Sequence, residues 1–264
     1  MRSLLAGLVA LLSLVALALP AAADGHARIH LLHGIPDVEV DVEIAGEIAV
    51  EGFAFGDTQD LSALAGQTLS DVMVKVAGTD TVAIDAGDLA LPADGNFTAI
   101  AHLDADGTPS LAVFANDESS IAAGSGRLVV RHAAAAPAVD VLADGNVAFA
   151  NLPNGDEGSA DLPAATYSAS VVPTGESSPV VIGPADLPVT DGTSLIVYAV
   201  GSLADESLTV LTESITDLGS APARIETGTS PVETSDNGLA LAGGAILLAS
   251  MAGFVISRRS DVTS

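Results

Sequence analysis

The chain contains one stretch twice, and this constrains its fold more than any other feature. Arg28 to Gly46 (RIHLLHGIPDVEVDVEIAG) and Arg127 to Gly145 (RLVVRHAAAAPAVDVLADG) superpose without a gap on a shift of 99 positions. The shift places Arg28 on Arg127, His33 on His132, Asp41 on Asp140 and Gly46 on Gly145. A self-similarity of this length means a duplicated unit, so whatever one copy folds into, the chain must build twice.

The period inside each copy is that of strands. Val38, Val40, Val42 and Ile44 alternate with Glu39, Asp41 and Glu43, which puts the apolar residues on one face of an extended chain. Gly34-Ile-Pro-Asp37, Ala45-Gly46 and Ala77-Gly-Thr-Asp80 punctuate the runs as turns. Seven short strands are expected in the first copy, over 27–32, 38–44, 48–53, 72–76, 82–84, 96–103 and 110–114. The second copy gives 127–132, 138–142, 147–150, 166–172, 180–182, 194–200 and 208–211. No segment of either copy has helical periodicity. The expected fold class is all-β: two tandem immunoglobulin-like β-sandwiches.

The ends read differently. Residues 1–23 have Arg2, an uncharged apolar run from Leu4 to Leu19 and Ala21-Ala22-Ala23 before Asp24, the pattern of a cleaved signal peptide. Residues 238–257 carry no charge and, at ~1.5 Å per residue, match the ~30 Å of a hydrocarbon core, which reads as one transmembrane helix. Arg258-Arg259 follows, so residues 258–264 are expected to be a cytoplasmic tail and the chain before the span to lie outside. The expected domains are therefore repeats at 24–115 and 126–212, a linker at 116–125 and a flexible stalk at 213–237 rich in Ser, Thr, Pro and Gly. Each repeat is expected to fold on its own. The expected location is the cell membrane, single-pass, with extracellular domains.

Charge and cysteine content exclude several classes of function. The formal net charge is −26, and all of the 34 Asp and Glu except Asp261 fall between residues 24 and 237, against Arg28, Lys75, Arg127, Arg131 and Arg224. Such a surface repels nucleic acid and anionic lipid heads. The chain has no cysteine, which removes thiol nucleophiles, thiolate metal sites and disulfides, so each copy must hold itself together by its apolar core.

The repeated residues resemble the family of domains of unknown function DUF4397, whose repeats open on an Arg-Val-Val-His-Ala-Ser-Pro-Asp-Ala-Pro-x-Val-Asp-Val pattern. Arg127 to Ala133 with Pro137-Ala-Val-Asp-Val141 carries the resemblance, as does Arg28 to Val42, and it extends over about residues 27–213. Leu162-Pro-Ala-Ala-Thr-Tyr167 is similar to a further step of that family, Leu-Pro-Ala-Gly-x-Tyr; Leu64 to Leu69 is a poorer version without the tyrosine. The resemblance implies an extracellular, often membrane-attached β-domain and implies no activity.

His33 with Asp41 and His132 with Asp140 invite a catalytic reading, but a triad needs a nucleophile beside the histidine and no Gly-x-Ser-x-Gly elbow occurs. Because both copies keep the pair, the expectation is structural, each histidine ending a strand and bonding to the aspartate or to turn backbone. Arg28, His33, Asp41, Arg127, His132 and Asp140 are accordingly structural candidates, with no catalytic residue, metal ligand or cofactor expected. His26, His30 and His33 are a metal alternative opposed by the odd spacing of His30 and His33 on a strand. Asp104-Ala-Asp-Gly107 resembles the start of a calcium loop, but Ala115 stands where the closing Glu belongs. Asn96-Phe-Thr98 is a formal glycosylation sequon.

The function expected from these observations is non-enzymatic: a surface protein displaying two sandwiches for binding, adhesion or envelope structure, toward an extracellular protein or polysaccharide. The alternative is a hydrolase or metal-dependent enzyme of the cell surface. A sorting signal at the C-terminal end is a third reading, opposed by the lack of a proper Leu-Pro-x-Thr-Gly.

Overall fold

The computed structural model describes residues 27–219. The expected signal, the span, the tail and the stalk beyond Gly219 lie outside the described residues. Among the described residues no helix is long and apolar enough to cross a membrane.

Each copy makes eight strands in two sheets of four. In the first, β4 (Thr58–Asp60), β1 (Arg28–His33), β7 (Asn96–Leu103) and β8 (Pro109–Ala115) form an inner sheet in that order. Its outer sheet is β3 (Glu47–Phe53), β2 (Val40–Ile44), β5 (Thr68–Val76) and β6 (Val82–Ala90). The second copy repeats the order, with an inner sheet of β12 (Glu157–Pro163), β9 (Ser125–Ala135), β15 (Ser194–Ser202) and β16 (Thr209–Ile215). Its outer sheet is β11 (Asn146–Leu152), β10 (Val139–Ala143), β13 (Ala165–Pro173) and β14 (Ile182–Val189). The sandwich expectation holds; the immunoglobulin-like detail is corrected. A seven-strand immunoglobulin domain splits four and three, whereas here eight strands split evenly and β1–β7 and β9–β15 pair in parallel.

The additional strands are β4 and β12. Thr58–Asp60 is exposed and wholly polar, and Glu157–Pro163 alternates only through the small Gly158 and Ala160 before Leu162, so neither gives a strong apolar strand signal. In the first copy the edge is shorter, because the chain leaves β4 for a 3-10 turn at Ser62–Leu64. In the second copy β12 stays paired with β9 along all seven of its residues.

The apolar side chains form three layers of core. Leu31, Ala99 and Ala101 of the first inner sheet meet Val40, Val42, Phe53, Leu69, Val72 and Val74 of its outer sheet. Leu128, Val130, Leu195 and Val197 meet Val139, Val141, Val171 and Leu187 in the second copy. The third layer lies between the two inner sheets: Leu32, Ile100 and Phe114 pack on Val129, Ala133, Ile196, Tyr198 and Val200. The copies are therefore stacked by their inner sheets, and strands β9 and β15 are covered on both faces. This accounts for β15, Ser194–Ser202, being buried at every residue and reading as a near-continuous apolar run.

The stack revises the expected boundaries. Within the expected linker, Asn116 and Ile121 are buried, and Ile121 N–H donates to the Leu218 carbonyl at 2.7 Å, beside a parallel bridge between Ile121 and Gly219. The expected stalk begins too early, because β16 continues to Ile215 and Leu218 is buried. Polar composition suggested a coil in both places, but these polar groups are consumed by contacts with the body.

Candidate functional site

Every repeated candidate residue has a bonding role in the fold. Asp41 accepts from the backbone N–H of Gly52 at 2.8 Å and of Gly78 at 2.9 Å. Asp140 accepts from Asn151 at 2.7 Å and Gly175 at 2.9 Å. Each carboxylate thus ties a β-bulge to the turn leaving the neighbouring strand. At the bulges Gly52 and Asn151 take φ of 61° and 51°, the left-handed region that glycine and asparagine tolerate best. The two backbone donors hold both carboxyls below the usual range, since they favour the ionised form.

The histidines bond to backbone and not to these aspartates. His33 Nε2–H donates to the Val38 carbonyl at 2.9 Å, and its ring stacks on Phe53 at 5.6 Å. His132 uses Nδ1–H toward the Leu152 carbonyl at 2.9 Å. In both copies the histidine backbone clamps the following loop: His33 N–H to Asp57 and Gly56 N–H to His33, then His132 N–H to Asp156 and Gly155 N–H to His132. Burial pushes both imidazoles, and that of His102, below the ordinary histidine value.

The arginines divide. Arg28 lies on the surface and pairs with Glu118, while Arg127 is buried and holds Asp161 through Nε at 2.8 Å and Asp117 through Nη1 at 2.8 Å. No motif singles out Arg131, yet it stands at the centre of the layer between the copies. Its guanidinium donates to Glu157 at 2.8 Å, Tyr198 Oη at 2.7 Å and Asn116 Oδ1 at 2.8 Å, and lies 4.6 Å from the Phe114 ring centroid. Tyr198 Oη donates onward to Glu213 at 2.9 Å, and Glu213 also accepts from Thr98 at 3.0 Å and His30 at 2.9 Å. Burial raises the Tyr198 phenol well above its ordinary value, so it stays a donor. Through the pairings Leu32–Ile100 and Arg131–Tyr198, the second copy places Arg131 and Tyr198 where the first has Leu32 and Ile100.

The weaker motifs also resolve. His30 reaches Glu213 while His33 reaches Val38, and His26 lies outside the described residues. Among the described residues no three His, Cys, Asp or Glu side chains are grouped to hold a metal ion. Asp104 closes a turn by accepting from Asp106 and Thr108 at 2.9 and 2.8 Å. The sequon residue Asn96 is buried and bonded to Glu118 and Asn116.

A more enclosed, apolar concave feature lies elsewhere, inside the first sandwich. A cavity of about 440 Å³ runs between its two sheets, walled by Ile29, Leu31, Val42, Val72, Leu89 and Leu111 among others, with Gln59 and Asp60 the polar residues of its lining. The corresponding space of the second copy, between Val130, Val141, Ala169 and Leu187, measures about 40 Å³.

Three differences at equivalent positions explain the contrast. Val50 pairs with Val42 as Phe149 pairs with Val141, and Leu69 pairs with Leu89 as Tyr167 pairs with Leu187. Phe149 and Tyr167 pack into the second core, and the first copy has smaller side chains at both places. Phe149 also needs Gly158 beneath it, since a Cβ there would lie 2.6 Å from the ring. The first copy has Gln59 at that place, by the pairing of Gly158 with Val130 and of Gln59 with Leu31. An apolar space of this size forgoes the packing contacts that fill the second core. Its apolar walls give water few partners.

Comparison with known proteins bears on part of this body. No curated protein matches the chain. The family that matches is the domain of unknown function DUF4397, over residues 27–142, which takes in all of the first copy and the first two strands of the second.

Proposed function

We propose that the protein is exported, held by one membrane helix, and displays two DUF4397-type sandwiches outside the cell as a rigid, non-enzymatic binding module. The observation that carries this reading is the Arg131 centre: Arg131, Tyr198, Glu213 and Asn116 join the two copies and the segment between them through buried and half-buried hydrogen bonds, Glu213 reaching Thr98 and His30 of the first copy, which suits presentation of a fixed surface. The second copy is read as a further repeat of the same domain because it reproduces the sheet order and the Asp and His clamps residue for residue. Export and anchoring rest on the signal-like residues 1–23 and the uncharged run 238–257 before Arg258-Arg259. The test is protease treatment of intact cells: residues 24–237 should be cut and a short piece containing Arg258 protected. Uncut protein in the cytosol overturns the topology. The binding reading is tested by His33→Ala and His132→Ala in the full chain. Each should lower stability by ~1–3 kcal/mol for a lost buried bond, and loss of bound metal or of a hydrolytic activity without loss of stability overturns it.

A further inference from the structure

We infer that the cavity of the first sandwich is a binding site for an uncharged, chain-like lipid of about fifteen non-hydrogen atoms, such as a long-chain or isoprenoid alcohol. Size sets the length: 440 Å³ is room for roughly fifteen units of the ~30 Å³ that a water occupies, and a methylene is of similar bulk. Shape sets the class, since the space lies between two sheets and is walled by aliphatic side chains from both.

The polar groups set the head. Gln59 and Asp60 are exposed on the short edge strand β4 while also lining the cavity, so they stand at its mouth. In the second copy this edge is shut by Phe149 lying over Gly158. Gln59 carries a donor and an acceptor for a hydroxyl or ester. Asp60 accepts from Ser62 N–H at 2.8 Å, a bond that favours its ionised form, and the cavity lining includes no Lys, Arg or His. A carboxylate or phosphate head would meet a like charge with no cation in the lining, whereas a neutral head meets an amide. The second copy serves as an internal control, the same fold with the space filled.

The experiment uses the full chain in lipid nanodiscs, with radiolabelled 1-tetradecanol and tetradecanoate as a matched neutral and anionic pair. Label retained at pH 7 is compared with that of a variant carrying Val50→Phe, Gln59→Gly and Leu69→Tyr, which transplants the second copy's filling and has the same surrounding lipid. Expected are close to one alcohol per chain, at least tenfold less on the filled variant, and at least tenfold weaker retention of tetradecanoate. Equal retention of alcohol by both proteins would mean partition into the nanodisc and overturns the site. Equal retention of acid and alcohol by the wild-type chain overturns the neutral class. If circular dichroism shows the triple variant unfolded, Ala99→Leu takes its place, filling the space from the inner sheet at a single position. Alcohol retained equally by that variant and the wild-type chain overturns the site in the same way.

Discussion

The two copies share a sheet order, a set of clamps and a register, and differ in what lies between their sheets. The first encloses about 440 Å³ and the second about 40 Å³. Because Asp41 and Asp140, and His33 and His132, keep equivalent places, the backbone frame is set by hydrogen bonds at the sandwich ends and is indifferent to how full the middle is. The difference comes from Val50 against Phe149, Leu69 against Tyr167 and Gln59 against Gly158. One frame can thus be a solid support or a container, with three side chains deciding which.

The largest expected effect tests whether the copies behave as one body at all. Arg131→Ala leaves Tyr198 and Asn116 without their buried partner and should cost ~3–5 kcal/mol, the range for breaking a buried charged contact. Calorimetry should show both copies melting earlier in a single transition. If only the second copy's transition moves, the stacked inner sheets do not couple the copies, and the comparison reduces to two independent domains.

Truncating equivalent core residues measures the hollow directly. Ile29 and Leu128 correspond under the repeat, are both nearly fully buried, and face the interiors of their own sandwiches. Leu128→Ala opens a new void in a filled core and should approach ~5 kcal/mol, while Ile29→Ala enlarges an existing space and should stay near ~2 kcal/mol. Denaturant unfolding of both variants gives the two values. Equal losses would mean the first core is as well packed as the second.

The plug can be tested from its seat. Gly158→Ala places a methyl against the Phe149 ring and should cost ~1–3 kcal/mol by overpacking, whereas Gln59→Ala on the exposed edge of the hollow copy should stay within ~0.5 kcal/mol. Chemical denaturation followed by circular dichroism, which senses the strands of both copies, reports both.

The smallest difference is in acid response. His33 and His102 of the first copy and His132 of the second have values lowered by burial. Their contribution to stability is complete above the unfolded histidine value of ~6.5 and is lost as pH falls through the lower folded values. With two of the three histidines, the first copy should lose amide-exchange protection sooner as pH falls below ~6.5. Below pH ~3.9, Asp41 and Asp140 add a further loss that is alike in both copies, because their carboxyls too are lowered on folding. Protection lost first in the second copy would reverse this assignment.

Much of the fold was legible because duplication and period two act over many residues at once. The strand faces of Val38 to Ile44 and the turns at glycine and aspartate could be read, whereas the partners of Asp41 and Asp140, backbone amides of a bulge and a turn, could not. Nor could the stacking. A strand covered on both faces, such as Ser194–Ser202, has the same apolar run whether its second cover is its own domain or the next. Arg131 was hidden for a related reason: its charge suggests solvent, and the Glu157 carboxylate, Asn116 amide, Tyr198 hydroxyl and aromatic rings brought to it by other segments make burial tolerable. The cavity depended on volumes at positions far apart in the chain. Val50 and Phe149 both satisfy an apolar pattern, and only their shared place under the repeat, compared pair by pair, would have signalled that one copy lacks its plug.

The meeting of the two inner sheets has a consequence for how many copies such a chain can hold. Equivalent faces face each other, so the contact is of the closed kind seen in two-fold dimers and does not propagate as head-to-tail stacking does. Once β1, β7, β9 and β15 are covered, no inner sheet is left to receive a third copy. The outer sheets present a different surface, and Arg131 and Tyr198 facing Leu32, Ile100 and Phe114 make the pair unequal. The tandem is in this sense a heterodimer written into one polypeptide, and a longer relative built on the same contact would grow by pairs.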